Sequence, residues 1–161
     1  MAGFRHFLKA GPAPTLGAAF FYFAFSCCIW VMNGAMAPFI SETYNLSPTE
    51  KGLMLSVPIF AGALMRFPLG VLAQYIGRKN ATLVEMGLIM VALLFGYFFV
   101  DSYSSLLAMG VLLGIAGASF GVALSLGSGS FPARYKGLAM GLVGAGNVGT
   151  AVSVLIAPAL A

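Results

Sequence analysis

The sequence predicts an all-α membrane protein with five transmembrane helices. Hydrophobic residues make up 60% of the 161-residue chain and charged residues only 7%, and the mean hydropathy is +0.99. A soluble domain carries about 25% charged residues, so this chain has too few charges to cover a surface that faces water. Apolar runs of about 20 residues, the length that a helix needs to cross a bilayer, follow one another with short polar connections between them.

The predicted spans occupy residues 17–40, 53–76, 82–100, 104–130 and 137–160. Residues 1–16 are predicted to form an N-terminal tail. Ser47, followed by Pro48 and Glu50, is typical of a helix start before the second span. The fourth span is long for a bilayer, so we expect it to tilt or to project beyond it. Because the connections are short, consecutive spans should run antiparallel.

The basic residues predict the orientation in the membrane. The N-terminal tail, the turn at 77–80 and the loop at 131–136 lie on one side and carry six of the eight Lys and Arg residues. By the positive-inside rule this side, and with it the N-terminus, is cytoplasmic. We therefore expect a multi-pass protein of the cell inner (cytoplasmic) membrane, surrounded by the lipid bilayer. Because the basic residues are dispersed among three connections, we expect no nucleic-acid partner.

Motifs of soluble enzymes are absent from the sequence. It contains no phosphate-binding Walker loop, no zinc-ligand spacing and no plausible nucleophile–base pair. We therefore expect a protein that is not an enzyme and that uses no cofactor or metal. Cys27 and Cys28 are adjacent, so they cannot join distant parts of the fold, and we interpret them as packing or lipid-facing thiols.

Arg66 gives the strongest indication of function, because it is a charged residue in the middle of a predicted span. It lies ten residues from Ile76 in the second span, about 15 Å from the predicted end at 1.5 Å per residue. An arginine at mid-membrane costs at least about 2.5–3.5 kcal/mol. None of the four acidic residues is predicted at that depth. Arg66 therefore either binds an anion, for which the guanidinium fork suits a planar oxyanion, or pairs with a residue outside this chain.

The fifth span repeats a small residue at every fourth position, which predicts close helix packing. The positions are 137, 141, 145, 149, 153 and 157. Asn147 interrupts this apolar surface, and Gly144 and Gly146 leave backbone uncovered beside its amide. We interpret this group as a polar surface along which a small anion passes. The alternative is that Asn147 makes an ordinary hydrogen bond between helices.

Two further features have simpler interpretations. Phe120 falls within a small-residue ladder of the fourth span at 117, 121, 125 and 129, and from the residues alone it is a packing or lipid-facing aromatic. Glu85 is predicted in the first turn of the third span, where a carboxylate meets the positive end of the helix dipole. Arg78, Lys79 and Arg134 are further candidate partners for this carboxylate. Of the two roles open to Glu85, we favour a structural one over proton coupling.

Residues 70–79 resemble the loop between the second and third helices of the major facilitator superfamily. That motif, which contributes to the cytoplasmic gate, corresponds here to Gly70, Gln74, Gly77, Arg78 and Lys79. The usual pattern has an aspartate where Gln74 stands. The resemblance implies a gating loop with a weakened charge relay.

The nitrate/nitrite porter family of that superfamily is the closer match. Its fifth-helix signature resembles residues 144–151, its substrate-binding arginine matches Arg66 within 62–68, and residues 46–54 and 114–132 are also similar. The resemblance implies the N-terminal half-bundle of a nitrate/nitrite transporter. Nitrate or nitrite would bind to Arg66, the path would be lined by neighbouring residues, and a second arginine would come from the other half. The lining residues are Asn147, Gly144, Gly146 and, as an aromatic wall, Phe120.

Five spans supply one half of such a transporter less its last helix, so we expect a partial chain whose site is completed by a missing C-terminal half. Alternating access rocks two halves about a midplane site. Transport could be nitrate/nitrite exchange or proton-coupled uptake, and the lack of a predicted mid-membrane carboxylate favours exchange. The alternatives are a major facilitator for another small or organic anion, and a truncated membrane protein that does not transport.

Overall fold

The computed structural model describes the backbone of residues 2–160 and the side chains of residues 6–157 and 159. This part of the chain is helical and contains no strand. Its helices, in chain order, are α1 (Ala2–Lys9), α2 (Ala13–Ala35), α3 (Ala37–Thr43), α4 (Pro48–Tyr75), α5 (Arg78–Phe99), α6 (Tyr103–Gly117), α7 (Ser119–Ser128), α8 (Ala133–Gly144) and α9 (Val148–Leu160), with a 3₁₀ turn at Ala145–Asn147 between the last two.

Five helices are long and apolar enough to cross a membrane, which confirms the predicted all-α fold with five spans. The first to fifth spans are Ala13–Ala35, Pro48–Tyr75, Arg78–Phe99, Tyr103–Ser128 and Ala133–Ala157. The third span begins four residues earlier than predicted. It follows directly on Gly77, whose φ of 83° lies in a region that glycine adopts without steric cost.

Within the predicted N-terminal tail, residues 2–9 form a helix, and this helix packs on the bundle through Phe7. Phe7 is completely buried. Its ring stacks on Phe131 with centroids 4.9 Å apart and meets the edge of Tyr135 at 5.7 Å. The burial of a phenylalanine contributes about 1.5–3 kcal/mol, so this contact offsets part of the entropy lost when the segment is ordered.

Close contacts at glycine residues set the spacing of the spans. The second span packs along the fourth, and the fifth along the first. A Cβ added at Gly114 would lie 2.5 Å from the Cβ of Ala61, and one at Gly149 would lie 1.9 Å from the carbonyl oxygen of Ala24. The small-residue repeat of the fifth span therefore packs through its second half, whereas Gly137 and Gly141 have open space beside them.

Pro58 explains how the first span is joined to the second. A proline inside a helix has no N–H, so the carbonyl four residues before it loses its helical donor. That carbonyl, of Met54, instead accepts a hydrogen bond of 3.3 Å from the side-chain amide of buried Asn33. Trp30 donates its indole N–H to the carbonyl of Pro58 itself at 3.2 Å. The first span thus satisfies the Met54 carbonyl, which the proline leaves without a helical donor, and adds a second contact at Pro58 itself.

Candidate functional site

Four spans surround a cavity of about 260 Å³. Its lining comes from the first, second, fourth and fifth spans and consists of Phe23, Cys27, Trp30, Arg66, Gly117, Phe120, Gly144 and Asn147. Four of the five predicted substrate-binding residues are therefore brought together, although they are up to 81 positions apart in the sequence. Their role in binding stays a prediction.

Arg66 enters the cavity because its helix approaches the fourth span closely one turn earlier. A Cβ at Gly62 would lie 3.1 Å from the carbonyl oxygen of Gly114 and 3.5 Å from the Cα of Gly117. The fourth span is interrupted just after Gly117, and the carbonyl of this residue accepts a long hydrogen bond of 3.5 Å from Arg66 Nη2. The guanidinium thus rests against one neutral backbone group.

The positive charge of Arg66 has no acidic partner among the side chains that the structure describes. Its one hydrogen-bond acceptor there is the Gly117 carbonyl. The guanidinium carries five N–H donors in a fixed planar arrangement, so most of them are free to meet a ligand. A cation in the middle of a membrane-spanning helix without a counter-ion favours the binding of an anion.

The 3₁₀ turn at Ala145–Asn147 decides which polar groups of the fifth span reach the cavity. With three residues per turn, positions three apart lie on the same face. Gly144 and Asn147 therefore both line the cavity. Gly146 does not: a Cβ there would lie 2.9 Å from the carbonyl oxygen of Phe20 and 3.0 Å from the ring of Phe23. The structure thus places Gly146 in the contact with the first span, not on the predicted anion path.

Aromatic side chains form one wall of the cavity. Phe120 is 44% exposed, so its ring is available to a ligand, and it lies 5.5 Å from the ring of Phe23 at an angle of 55°. The ring of Trp30 packs directly on Gly117, where a Cβ would come within 2.6 Å of it. The resemblance to nitrate/nitrite porters predicted Phe120 as an aromatic wall of the site, but Phe23 and Trp30 of the first span were not predicted from the sequence.

In the sequence, only the spacing of three residues in the first span indicated that they lie together on the cavity wall. Phe23, Cys27 and Trp30 are separated by four and three positions, so they share one helix face. The same spacing of apolar residues occurs on every face of this span, because lipid-facing and bundle-facing surfaces have similar composition. Sequence periodicity therefore could not single out this face.

The residues of the predicted gating loop surround a second cavity, of about 640 Å³. Gly70, Gln74, Gly77 and Arg78 line it together with Gly121 and Ser125 of the fourth span, along with two apolar neighbours. Lys79 is exposed and is not part of this lining. The Arg78 guanidinium fills the space beside Gly129, where a Cβ would lie 1.6 Å from Nη1.

The two cavities follow each other along the second span. Arg66, Gly70 and Gln74 are four residues apart, which places them on one face of the helix at successive turns. Phe120 of the first cavity is directly followed by Gly121 of the second. The arginine cavity is thus one turn from the cavity at the end of the bundle that carries Gly77.

The predicted environment of Glu85 is wrong. Because the third span begins at Arg78, Glu85 lies two turns inside the helix and not in its first turn. It is completely buried and accepts a hydrogen bond from the hydroxyl of Tyr22 on the first span. It forms no ion pair with Arg78, Lys79 or Arg134 in the described part of the chain.

Comparison with known proteins decides the family. Residues 18–161, nearly the whole chain, match the Major Facilitator Superfamily. The chain belongs to this superfamily. The superfamily predicted from residues 70–79 is thereby confirmed, and the helical arrangement described above is that of a major facilitator half-bundle. The gating role of this loop stays a prediction.

Similar transporters come from Staphylococcus aureus. The proteins named "Probable nitrate transporter NarT" of strains JH9, Newman and USA300 / TCH1516 are each 33% identical over 135 residues. The alignment covers 82% of this chain and 34% of each relative, so the chain spans about a third of the length of the curated relatives that it matches. This similarity supports the resemblance to nitrate/nitrite porters that the Arg66 and Asn147 motifs indicated.

Proposed function

We propose that this chain forms the N-terminal half-bundle of a secondary transporter that carries nitrate and nitrite across the cytoplasmic membrane, with its N-terminus inside the cell. The observation that carries the proposal is the arginine cavity. An arginine without an acidic partner and an asparagine amide face one space between four spans. The name of the S. aureus relatives supports the choice of nitrate as the substrate.

The chemistry of the cavity fits a small planar oxyanion. The Arg66 fork can donate two parallel hydrogen bonds to two oxygens of such an ion. The Asn147 amide supplies further N–H donors, and the flat face of Phe120 can lie against the plane of the anion. A bulky organic anion fits less well, because one guanidinium and one amide face the cavity in this half, and aromatic rings form much of the remaining wall.

The second cavity provides the route to the cytoplasm in this proposal. Arg66, Gly70 and Gln74 lie along one helix face and lead from the anion site toward the gating loop. The complete transporter contains a second half-bundle that closes the exposed side of the site and rocks against the first. Gln74 is uncharged, so the gating loop closes without the charge relay that an aspartate at this position would provide.

Sequencing the source locus beyond Ala161 tests the two-half architecture. We expect the reading frame to continue into about seven further spans that include a second mid-helix arginine, as the resemblance to twelve-helix porters implies. A stop codon at that point, with no second chain that completes the site, would favour the alternative of a membrane protein that does not transport.

Substitutions at Asn147 test whether the substrate is an anion. Asn147→Ala removes hydrogen bonds worth about 1 kcal/mol, so nitrate uptake at low concentration should fall about fivefold. Asn147→Asp is similar in shape but places a negative charge toward the anion, a repulsion of several kcal/mol that should lower uptake more than about 100-fold. The measurement is uptake of labelled nitrate by proteoliposomes that contain the complete transporter.

The comparison between the two variants is what decides this test. An anion site requires the aspartate variant to be much weaker than the alanine variant. If Asn147 served only to hydrogen-bond a neighbouring helix, both variants would lose activity equally, and the assignment of Asn147 to the substrate site would be wrong.

A further inference from the structure

Glu85 and Tyr22 form a buried polar pair that the anion site does not use. The Glu85 carboxyl has no exposed surface, and Tyr22 is 7% exposed. The Tyr22 hydroxyl donates to Glu85 Oε2, while Oε1 has no hydrogen-bond partner in the described part of the chain. Glu85 lies seven residues after the start of the third span, about 10 Å along the helix at 1.5 Å per residue. It is therefore inside the membrane, away from the basic turn.

The arginines of the bundle have other contacts. Arg78 fills the space beside Gly129, Arg134 stacks over the ring of Tyr135, and Arg66 reaches the Gly117 carbonyl. Among the residues whose side chains are described, no lysine or arginine forms an ion pair with Glu85.

Few titratable or charged groups lie on the spans around this carboxyl. The second part of the fourth span, Ser119–Ser128, has none. The titratable or charged residues on the remaining segments of these spans are Tyr22, Cys27 and Cys28 on the first span, Glu50, Lys51, Arg66 and Tyr75 on the second, Tyr103 on the fourth, and Arg78, Lys79 and Tyr97 on the third itself. Of these groups, only Tyr22 hydrogen-bonds to the carboxyl. The phenol is a neutral donor and does not replace a counter-ion.

This environment favours the neutral form of Glu85. An ionised carboxylate buried without a cation costs far more free energy than a neutral carboxyl with one hydrogen bond unmade. In the neutral form, Oε1 carries the proton and Oε2 accepts from Tyr22. The unpartnered oxygen is thus the atom at which a proton binds and leaves.

We propose that Glu85 is a proton-binding site of this chain, located between the first and third spans and separate from the anion cavity. A hydronium ion transfers its proton to Oε1 of the carboxylate and leaves as a water molecule, and Tyr22 holds Oε2 in place. Tyr22 is a positioning residue, because it acts through its hydrogen bond to the carboxyl. The lack of a predicted mid-membrane carboxylate favoured exchange, and the position of Glu85 two turns inside the third span weakens that argument.

The position of the pair links proton binding to anion binding, a step that rests on the proposed function. Tyr22 is followed by Phe23, which lines the anion cavity and contacts Phe120. An anion in that cavity repels the ionised form of Glu85 through a low-dielectric interior and so favours its protonation. By reciprocity, protonation of Glu85 strengthens anion binding.

Infrared spectroscopy of the chain in lipid nanodiscs tests the proton site directly. The chain has only four carboxyl side chains, so the C=O stretch of a protonated one can be assigned. At neutral pH we expect this band in the wild type and in Glu42→Gln, the control at an exposed acid, but not in Glu85→Gln. Tyr22→Phe should keep the band and shift it to higher frequency, because one hydrogen bond is lost.

Two infrared results would overturn the proton site. One is the absence of the band at neutral pH in the wild type and in Tyr22→Phe. The other is a band that persists in Glu85→Gln. The Tyr22→Phe variant keeps the carboxyl, so the test does not depend on the folding of Glu85→Gln alone.

The pH profile of nitrate uptake by the complete transporter tests the linkage. As pH rises and Glu85 ionises, wild-type uptake at low nitrate should fall by about fivefold or more, whereas Glu85→Gln, which stays neutral, should keep its uptake. Identical profiles would overturn the linkage. If the infrared band is present but no nitrate moves at any pH, the proposed function fails while the proton site stands.

Discussion

Replacement of Arg66 by lysine should lower nitrate uptake by about 10- to 100-fold. Lysine keeps the charge but lacks the planar fork, so one charge-assisted hydrogen bond worth about 1.5–3 kcal/mol is lost, and each 1.4 kcal/mol corresponds to a factor of ten. Arg66→Gln removes the charge as well and should cost about 2–5 kcal/mol or more. Initial rates of labelled nitrate uptake by the complete transporter, at concentrations below KM, measure both effects.

Arg134→Lys is the matched control for this substitution. Arg134 is exposed, lies on the basic loop and has Tyr135 as its described partner. The same chemical change there should leave uptake unchanged. Equal uptake by Arg66→Lys and Arg134→Lys would show that the cavity arginine does not recognise its ligand through two parallel hydrogen bonds.

Replacement of Gly149 by alanine should separate the fifth span from the first. The new Cβ would lie 1.9 Å from the carbonyl oxygen of Ala24, which is backbone and cannot rotate away. Overpacking of this kind costs about 1–3 kcal/mol, and we expect the upper end. The measurement is the midpoint of unfolding of this chain in mixed micelles, followed by circular dichroism, and the midpoint should shift to milder denaturing conditions.

Gly141→Ala is the control on the same span. No atom lies within 4 Å of a Cβ built there, and alanine is preferred over glycine inside a helix by about 1 kcal/mol. This variant should therefore be as stable as the wild type or more stable. Equal destabilisation by the two substitutions would mean that the loss arises from the glycine repeat in general and not from the contact with Ala24.

The packing contacts also position the residues of the proposed anion site. Gly146 and Gly149 hold the fifth span against the first, and the 3₁₀ turn at Ala145–Asn147, which contains Gly146, leaves Asn147 in the cavity. The glycine pair Gly62 and Gly114 likewise brings the second span close to the fourth. This contact lies one helical turn before Arg66, whose side chain enters the cavity. Residues that line the cavity and residues that pack one helix on another thus alternate along the same helices.

Several features followed from local properties of the sequence. A run of apolar residues with few charges predicts a span whatever it packs against, since the bilayer is its solvent. The number of spans and the basic character of their connections could therefore be predicted. Arg66 was identified for the same reason, because a charge at that depth is costly in any bilayer, and Asn147 was identified as the amide within a glycine run.

The tertiary structure alone decided which face of each span meets which neighbour. Lipid chains are as apolar as leucine, so a face that meets lipid and a face that meets another helix carry the same residue types. For this reason the sequence could not separate Gly144 from Gly146, select Trp30 for the cavity, or dock Phe7 on Phe131. It also could not show that Glu85 meets Tyr22, because that contact joins two helices 63 positions apart and depends on how they pack.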